Sequence, residues 1–112
     1  MKSIDNDYIA TSKNIIQVFR EQLHPDVQLQ MIAVLLEVAL NKEITMKDLK
    51  SKTGLSQASI SRNIAALSEN KLFNKSGYNL VQALEDPSER RRKIVRLTRD
   101  GESFMKKLNK VI

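Results

Sequence analysis

Apolar positions recur at intervals of three and four along most of the chain, predicting four or five helices, and two β-like runs near the end predict one hairpin. Asp5, Asn6 or Asp7 can cap a first helix whose amphipathic stripe is Tyr8, Ser12, Ile15, Ile16, Phe19 and Leu23. His24-Pro25-Asp26 breaks it. A second helix is expected from about Asp26 to Leu40, apolar on most sides and so the core helix of the domain, with Asn41-Lys42-Glu43 ending it. Thr45 followed by Asp48 resembles a capping box, in which the hydroxyl takes the Asp48 amide proton and starts a short helix over Met46 to Lys52.

The stretch TGLSQASISRNIAAL, residues 53 to 67, then sets a helix stop against a helix start. Gly54 supplies the positive φ that closes the short helix, and Ser56 can cap the next one. With about three residues between them the helices must cross steeply, which is the helix-turn-helix arrangement. In the following helix, about residues 56 to 69, Ile60, Ile64 and Leu67 fall within ~60° of one another and form the inward face. Ala58, Ser59, Ser61, Arg62, Ala65 and Glu69 are expected outside, with Gln57 and Asn63 on the flanks. A helix entering the DNA major groove needs small residues for close approach and a few long donors. Arg suits guanine, Gln or Asn suits adenine, and Ser hydroxyls suit phosphates or bases. Candidate contacts are therefore Ser56, Gln57, Ala58, Ser59, Ser61, Arg62 and Asn63.

Charge strengthens that reading. The chain of 112 residues has net charge +6, but residues 1–40 hold three Lys/Arg against five Asp/Glu and residues 41–112 hold sixteen against eight. The second part is aimed at a polyanion. The length predicts one domain over residues 1–112. Zero Cys removes disulfides, thiolate metal sites and thiol nucleophiles and suits a cytoplasmic protein. No signal-peptide pattern opens the chain, and the most apolar run, MIAVLLEVAL (31–40), is ten residues long and contains Glu37, so no membrane span is expected.

Beyond the helix pair, Tyr78–Leu84 and Lys93–Leu97 read as strands of a hairpin whose tip, EDPSERRR, is an eight-residue basic loop. Arg90, Arg91, Arg92 and Lys93 there can reach phosphates or the minor groove. Thr98 then caps a last helix to about Ile112, with Phe104, Met105, Leu108, Val111 and Ile112 on its apolar side.

The order of elements, the segment ITMKDLKSKTGLSQASISRNIAALSENKL and above all DPSERRRKIVRLTRDG resemble the MarR family of winged helix-turn-helix transcriptional regulators over about residues 27 to 105. The wing pattern of the family, D-P-x-D-R-R-x-K-x-x-x-L-T-x-x-G, is met by Asp86, Pro87, Arg90, Arg91, Lys93, Leu97, Thr98 and Gly101. The resemblance implies a mainly α fold with a small antiparallel β-hairpin wing at about residues 85–93. It also implies a homodimer on an inverted-repeat operator in double-stranded DNA, recognition helices in successive major grooves, and Arg91 in the minor groove.

Three departures qualify it. Glu89 replaces the usual Asp before the wing arginine, so with Asp86 the expected support of Arg91 sits on a longer stem. FNKSGYN (73–79) lengthens the link to the wing, with Lys75-Ser76-Gly77 as an added turn. The chain also stops about one long helix short of the family's usual end, so dimerisation is expected to rest on Ile15, Ile16, Phe19, Phe104, Leu108 and Ile112. A small-molecule effector is left open, and no metal or cofactor is expected. One His, three isolated glycines and the acidic pair Glu85-Asp86 offer no catalytic grouping, which sets enzymes aside. The rival reading is a winged-helix adapter that binds polymerase or a replication protein. An adapter would expose an apolar patch where a DNA reader carries a positive face.

Overall fold

The computed structural model describes residues 6–68 and 77–112, with the backbone alone at Arg90. Asp5, Glu69 and most of the FNKSGYN segment lie outside the described residues. The elements run α1 (Asn6–Gln22), α2 (Leu29–Ala39), β1 (Ile44–Thr45), α3 (Met46–Thr53), α4 (Gln57–Leu67), β2 (Val81–Asp86), β3 (Glu89–Leu97) and α5 (Arg99–Asn109). Among the described residues, five helices and a three-stranded antiparallel sheet, in the order β1-β3-β2, make a winged helix-turn-helix.

The helix α2 begins three residues later than its apolar pattern suggests. Pro25 sets a turn in which the Val27 amide donates to the His24 carbonyl (3.0 Å) and the Asp26 amide donates to His24 Nδ1 (3.0 Å). These amides are spent on the turn, so the helix starts after the extended Gln28. Val34, Leu35 and Val38 are fully buried, but α2 is not covered all round: Leu29 and Leu40 are each 79% exposed.

The stripe of α1 is likewise divided. Phe19 and Leu23 are buried, Ile15 packs at the edge of the core, and Tyr8, Ser12 and Ile16 face out. Phe19 meets Phe104 of α5 with ring centroids 5.5 Å apart, which fixes α1 to α5.

The sheet is larger at its base and tighter at its tip than the sequence suggests. β1 pairs with β3 through Ile44↔Val95 and Thr45↔Ile94, a strand too short to register as an alternating pattern. The strands of the wing run on to Asp86 and Glu89, leaving Pro87-Ser88 as the turn. The expected eight-residue basic loop is thus mostly strand. Asp86 Oδ1 accepts from the Ser88 amide (2.9 Å) and the Ser88 hydroxyl (2.8 Å), the side-chain turn that lets the chain reverse within two residues.

The junction between wing and α5 is built on close approach. Thr98 Oγ1 accepts from the Gly101 amide (3.0 Å) and its hydroxyl donates to the Asn79 carbonyl (2.6 Å). A Cβ at Gly101 would overlap the Leu80 carbonyl oxygen. Asn79 takes the left-handed conformation (φ 56°) and donates to Asp100 Oδ2, while the Leu80 amide donates to the Leu67 carbonyl at the end of α4. α4, the wing and α5 are thereby tied at one point.

Candidate nucleic-acid interface

Local hydrogen bonds set the helix pair. Thr45 Oγ1 accepts from the Asp48 amide (3.0 Å) at the start of α3, and Gly54 ends that helix at φ 72° with its amide on the Lys50 carbonyl. Ser56 Oγ accepts from the Ser59 amide (3.1 Å) and starts α4. Ile60, Ile64 and Leu67 bury the inner face of α4, so its outward edge is rigidly aimed.

Along that edge Gln57, Ala58, Ser61 and Arg62 are exposed, as is the cap residue Ser56. Arg62 makes no hydrogen bond or ion pair among the described residues. The expected arc is narrower by one side. Ser59 is 9% exposed, and Asn63 is half-buried with its Nδ2 donating to the Ser59 carbonyl (2.9 Å) and Ser59 Oγ (3.3 Å). Ser59 lies one 100° step from Ile60 and so borders the buried stripe. With its amide engaged on its own helix, Asn63 is poorly placed to grip an adenine with two bonds, which leaves Gln57, Ser61 and Arg62 as the exposed polar side chains of that edge.

Two lysines belong beside them that the sequence reading passed over. Lys47 and Lys50 of α3 line, with Met46, Gln57 and Ile60, a recess of about 210 Å³ against the first turn of α4. Their spacing of three residues, on a helix anchored through Leu49, is the signal that would have found them.

At the wing, Glu85 pairs with Lys93 but Asp86 pairs with Glu89, so Arg90, Arg91 and Arg92 have no residues opposite and the chain bulges there. Arg92 turns back: its Nε donates to Asp86 Oδ2 (2.7 Å), its second terminal nitrogen lies 2.5 Å from the same oxygen, and the first is 3.8 Å from Glu89 Oε2. Asp86 is lowered from 3.8 to about 2, first by the Ser88 amide, then by the Ser88 hydroxyl and by Arg92. The Arg92 guanidinium is in turn pushed up, chiefly by its hydrogen bond to Asp86. The expected support of Arg91 by Asp86 and Glu89 is thus corrected, since both carboxylates serve Arg92. Arg91 and Lys93 are exposed, and neither makes a hydrogen bond or ion pair among the described residues.

No protein-family model and no curated protein matches the sequence. Solved structures match the fold. Wild-type MarR from E. coli, in its apo form, superposes with TM-score 0.65 at 18% identity over 99% of this chain and 78% of that one. The PcaV transcriptional regulator from Streptomyces coelicolor, with its natural ligand, gives 0.63 at 17% identity over 97% and 76%. NadR in complex with 4-hydroxyphenylacetate gives 0.65 at 20% identity over 99% and 74%. The chain has the MarR fold.

Within this MarR-like frame the residues expected to join two copies separate into two groups. Phe19, Phe104 and Leu108 are buried in the chain's own core, with Leu108 the most exposed at 8%, which corrects their assignment to an interface. Ile15 is half-buried, whereas Ile16 (52%) and Ile112 (74%) are exposed. A groove of about 740 Å³ opens between the end of α2, the base of the wing and α5. It sets Lys42, Arg96 and Arg99 beside Leu40 and Leu97, with Glu43 and Glu102 also in its lining. Among the described residues no helix is long and apolar enough to cross a membrane, and no group of three His, Cys, Asp or Glu could hold a metal ion.

Proposed function

We propose that this chain is a sequence-specific, double-stranded DNA-binding transcriptional regulator that represses by occupying its operator. α4 enters the major groove with Gln57, Ser61 and Arg62 toward base edges. The wing lies along the minor groove with Arg91 foremost, and Lys47 and Lys50 take phosphates.

One observation carries this reading. Arg62 and Arg91 stand exposed on the helix-turn-helix and the wing, neither paired with a carboxylate among the described residues, while Arg92 is held back by Asp86. Among the described residues the exposed large apolar side chains, Tyr8, Ile9, Ile16, Leu29, Leu36, Leu40, Tyr78 and Ile112, all lie off α3, α4 and the wing strands. An adapter would need such groups on that face, so the distribution favours nucleic acid over a protein partner.

The operator is an inverted repeat bound by a homodimer, and the protein acts in the cytoplasm without enzymatic activity or cofactor. For small-molecule control, NadR was solved in complex with 4-hydroxyphenylacetate, a carboxylate anion on a phenol ring. That chemistry suits Leu40, Leu97, Lys42, Arg96 and Arg99 in the groove beside the wing, so 4-hydroxyphenylacetate is the first compound to add to a DNA-binding assay.

Duplex titration at several salt concentrations tests the reading. The apparent affinity should fall steeply with salt, since neutralising several phosphates releases counterions. Salt-independent binding, or none at low salt, contradicts it.

A further inference from the structure

The last carbonyls of α4 are satisfied from a distant part of the chain. At the helix end itself, the Ser68 amide donates to the Ile64 carbonyl (2.9 Å) and the Ser68 hydroxyl to that of Ala65 (3.0 Å). The next three carbonyls are beyond the reach of the helix's own amides, and residues 78–80 supply all three donors. The Tyr78 amide donates to the Ala66 carbonyl (3.1 Å), the Leu80 amide to that of Leu67 (2.7 Å) and the Asn79 amide to that of Ser68 (3.3 Å). Whatever holds residues 78–80 therefore holds the end of α4.

Two other helices do so. Asn79 is fixed to α5, with its Nδ2 donating to Asp100 Oδ2 (3.2 Å) and its carbonyl accepting from the Thr98 hydroxyl (2.6 Å). Tyr78 is fixed to α1: its hydroxyl donates to the Leu23 carbonyl (3.1 Å), which lies just past the end of that helix. A cavity of about 220 Å³ opens between Gln22, Leu23, Tyr78, Asp100, Phe104 and Lys107. The Tyr78 ring borders this space and is 37% exposed, so its hydroxyl bond, more than close packing, sets where it stands.

We infer that Tyr78 is a positioning residue for base reading: its hydroxyl braces the capped end of α4 against α1, and so fixes how Gln57, Ser61 and Arg62 meet the groove. The inference rests on the DNA reading proposed above. From Gln57 to Leu67 α4 spans ~15 Å at 1.5 Å per residue, and a rigid rod of that length carries a tilt at one end to the other. Hydrogen bonds to base edges tolerate errors of only about 0.5 Å and 10–20°. Attraction to phosphates fades over a screening length of ~10 Å and is nearly indifferent to such a shift. Loss of the brace should therefore erode discrimination between sequences while leaving general affinity for DNA in place.

The test compares Tyr78→Phe, which deletes only the hydroxyl, with Tyr8→Phe, which deletes the same atom from an exposed ring on α1. Each full-length chain is titrated against a duplex that the wild type selects from random sequence and against a scrambled duplex of equal length, at several salt concentrations. Tyr78→Phe should weaken binding to the selected duplex roughly three- to tenfold, the range set by one lost hydrogen bond, with affinity for scrambled DNA and the salt slope unchanged. Tyr8→Phe should alter neither. Amide hydrogen exchange without DNA reads the brace directly: in Tyr78→Phe the amides of residues 78–80 should exchange several-fold faster, while those of the core helix α2 keep their rates. Unchanged exchange at residues 78–80 overturns the brace. Faster exchange with equal losses on both duplexes, or with no loss on either, overturns its part in reading bases. A wild type that binds no duplex, or selects none, overturns the DNA-reading function and this role with it, and the exchange rates then show whether the brace itself exists.

Discussion

Arg62 and Arg91 carry the same charge and are both exposed, on different supports, and their loss should look different in a binding curve. Arg62 springs from a helix anchored by Ile60 and Ile64, so it points in a fixed direction. Arg62→Ala should cost ~1–3 kcal/mol at one operator position and relax the base preference there. Arg91 rides on the bulge of the wing. Arg91→Ala should weaken binding to most sequences alike and make the salt slope shallower by about one unit. Titrating both variants on the operator and on scrambled DNA separates them, and two evenly weakened variants with unchanged base preference would remove α4 as the reading element. Asp86 belongs to the same scale. Folding lowers its pKa from 3.8 to about 2, so its ionised form stabilises the wing fully above the ordinary value, and that contribution fades as pH falls toward 2. The difference in melting temperature between wild type and Asp86→Asn should hold constant from roughly pH 8 to 5 and shrink below about pH 4. A difference already gone at pH 6 would mean that a different group holds Arg92.

At the scale of elements, the turns were most legible where one side chain decides them. Thr45, Ser56 and Thr98 accept the amides their spacing predicts, and Gly54 has the positive φ its place after α3 demands. The wing tip was misread because charge density made EDPSERRR look like loop, whereas Asp86 folds Pro87-Ser88 into a turn and the arginines continue as strand. β1 escaped because two residues cannot show an alternation. The two glycines make a paired prediction. Gly54→Ala should cost ~1–2 kcal/mol, from backbone strain alone, since nothing surrounds the position. Gly101→Ala must displace the Leu80 carbonyl or α5 and should cost ~1–3 kcal/mol or more. It should also loosen the wing, lowering DNA affinity, where Gly54→Ala acts on the angle between α3 and α4. Urea unfolding of both variants measures this, and a Gly101→Ala chain as stable as wild type would show that the junction is not close-packed.

For the whole molecule, the fold class was readable because motif spacing, caps and apolar periodicity all pointed one way, and the same fold recurs in solved MarR, PcaV and NadR. What periodicity could not do was divide an apolar face between the chain's own core and another chain. Phe19 and Phe104 belong to the same stripes as Ile16 and Ile112, yet the first two meet each other 5.5 Å apart and the second two face solvent. Nor could it show that Arg92, not Arg91, would take the carboxylates, because that depends on how β3 bulges against β2. The division of charge, by contrast, was visible from the start, and it matches a molecule with apolar faces on α1 and α2 and cations on α3, α4 and the wing. Selection of bound sites from random duplex DNA tests the central claim most directly. The account predicts enrichment of a paired, inverted motif whose half-sites lie about one helical turn, roughly 10 bp, apart. Recovery of unenriched sequence, or of a single unpaired motif, would contradict it.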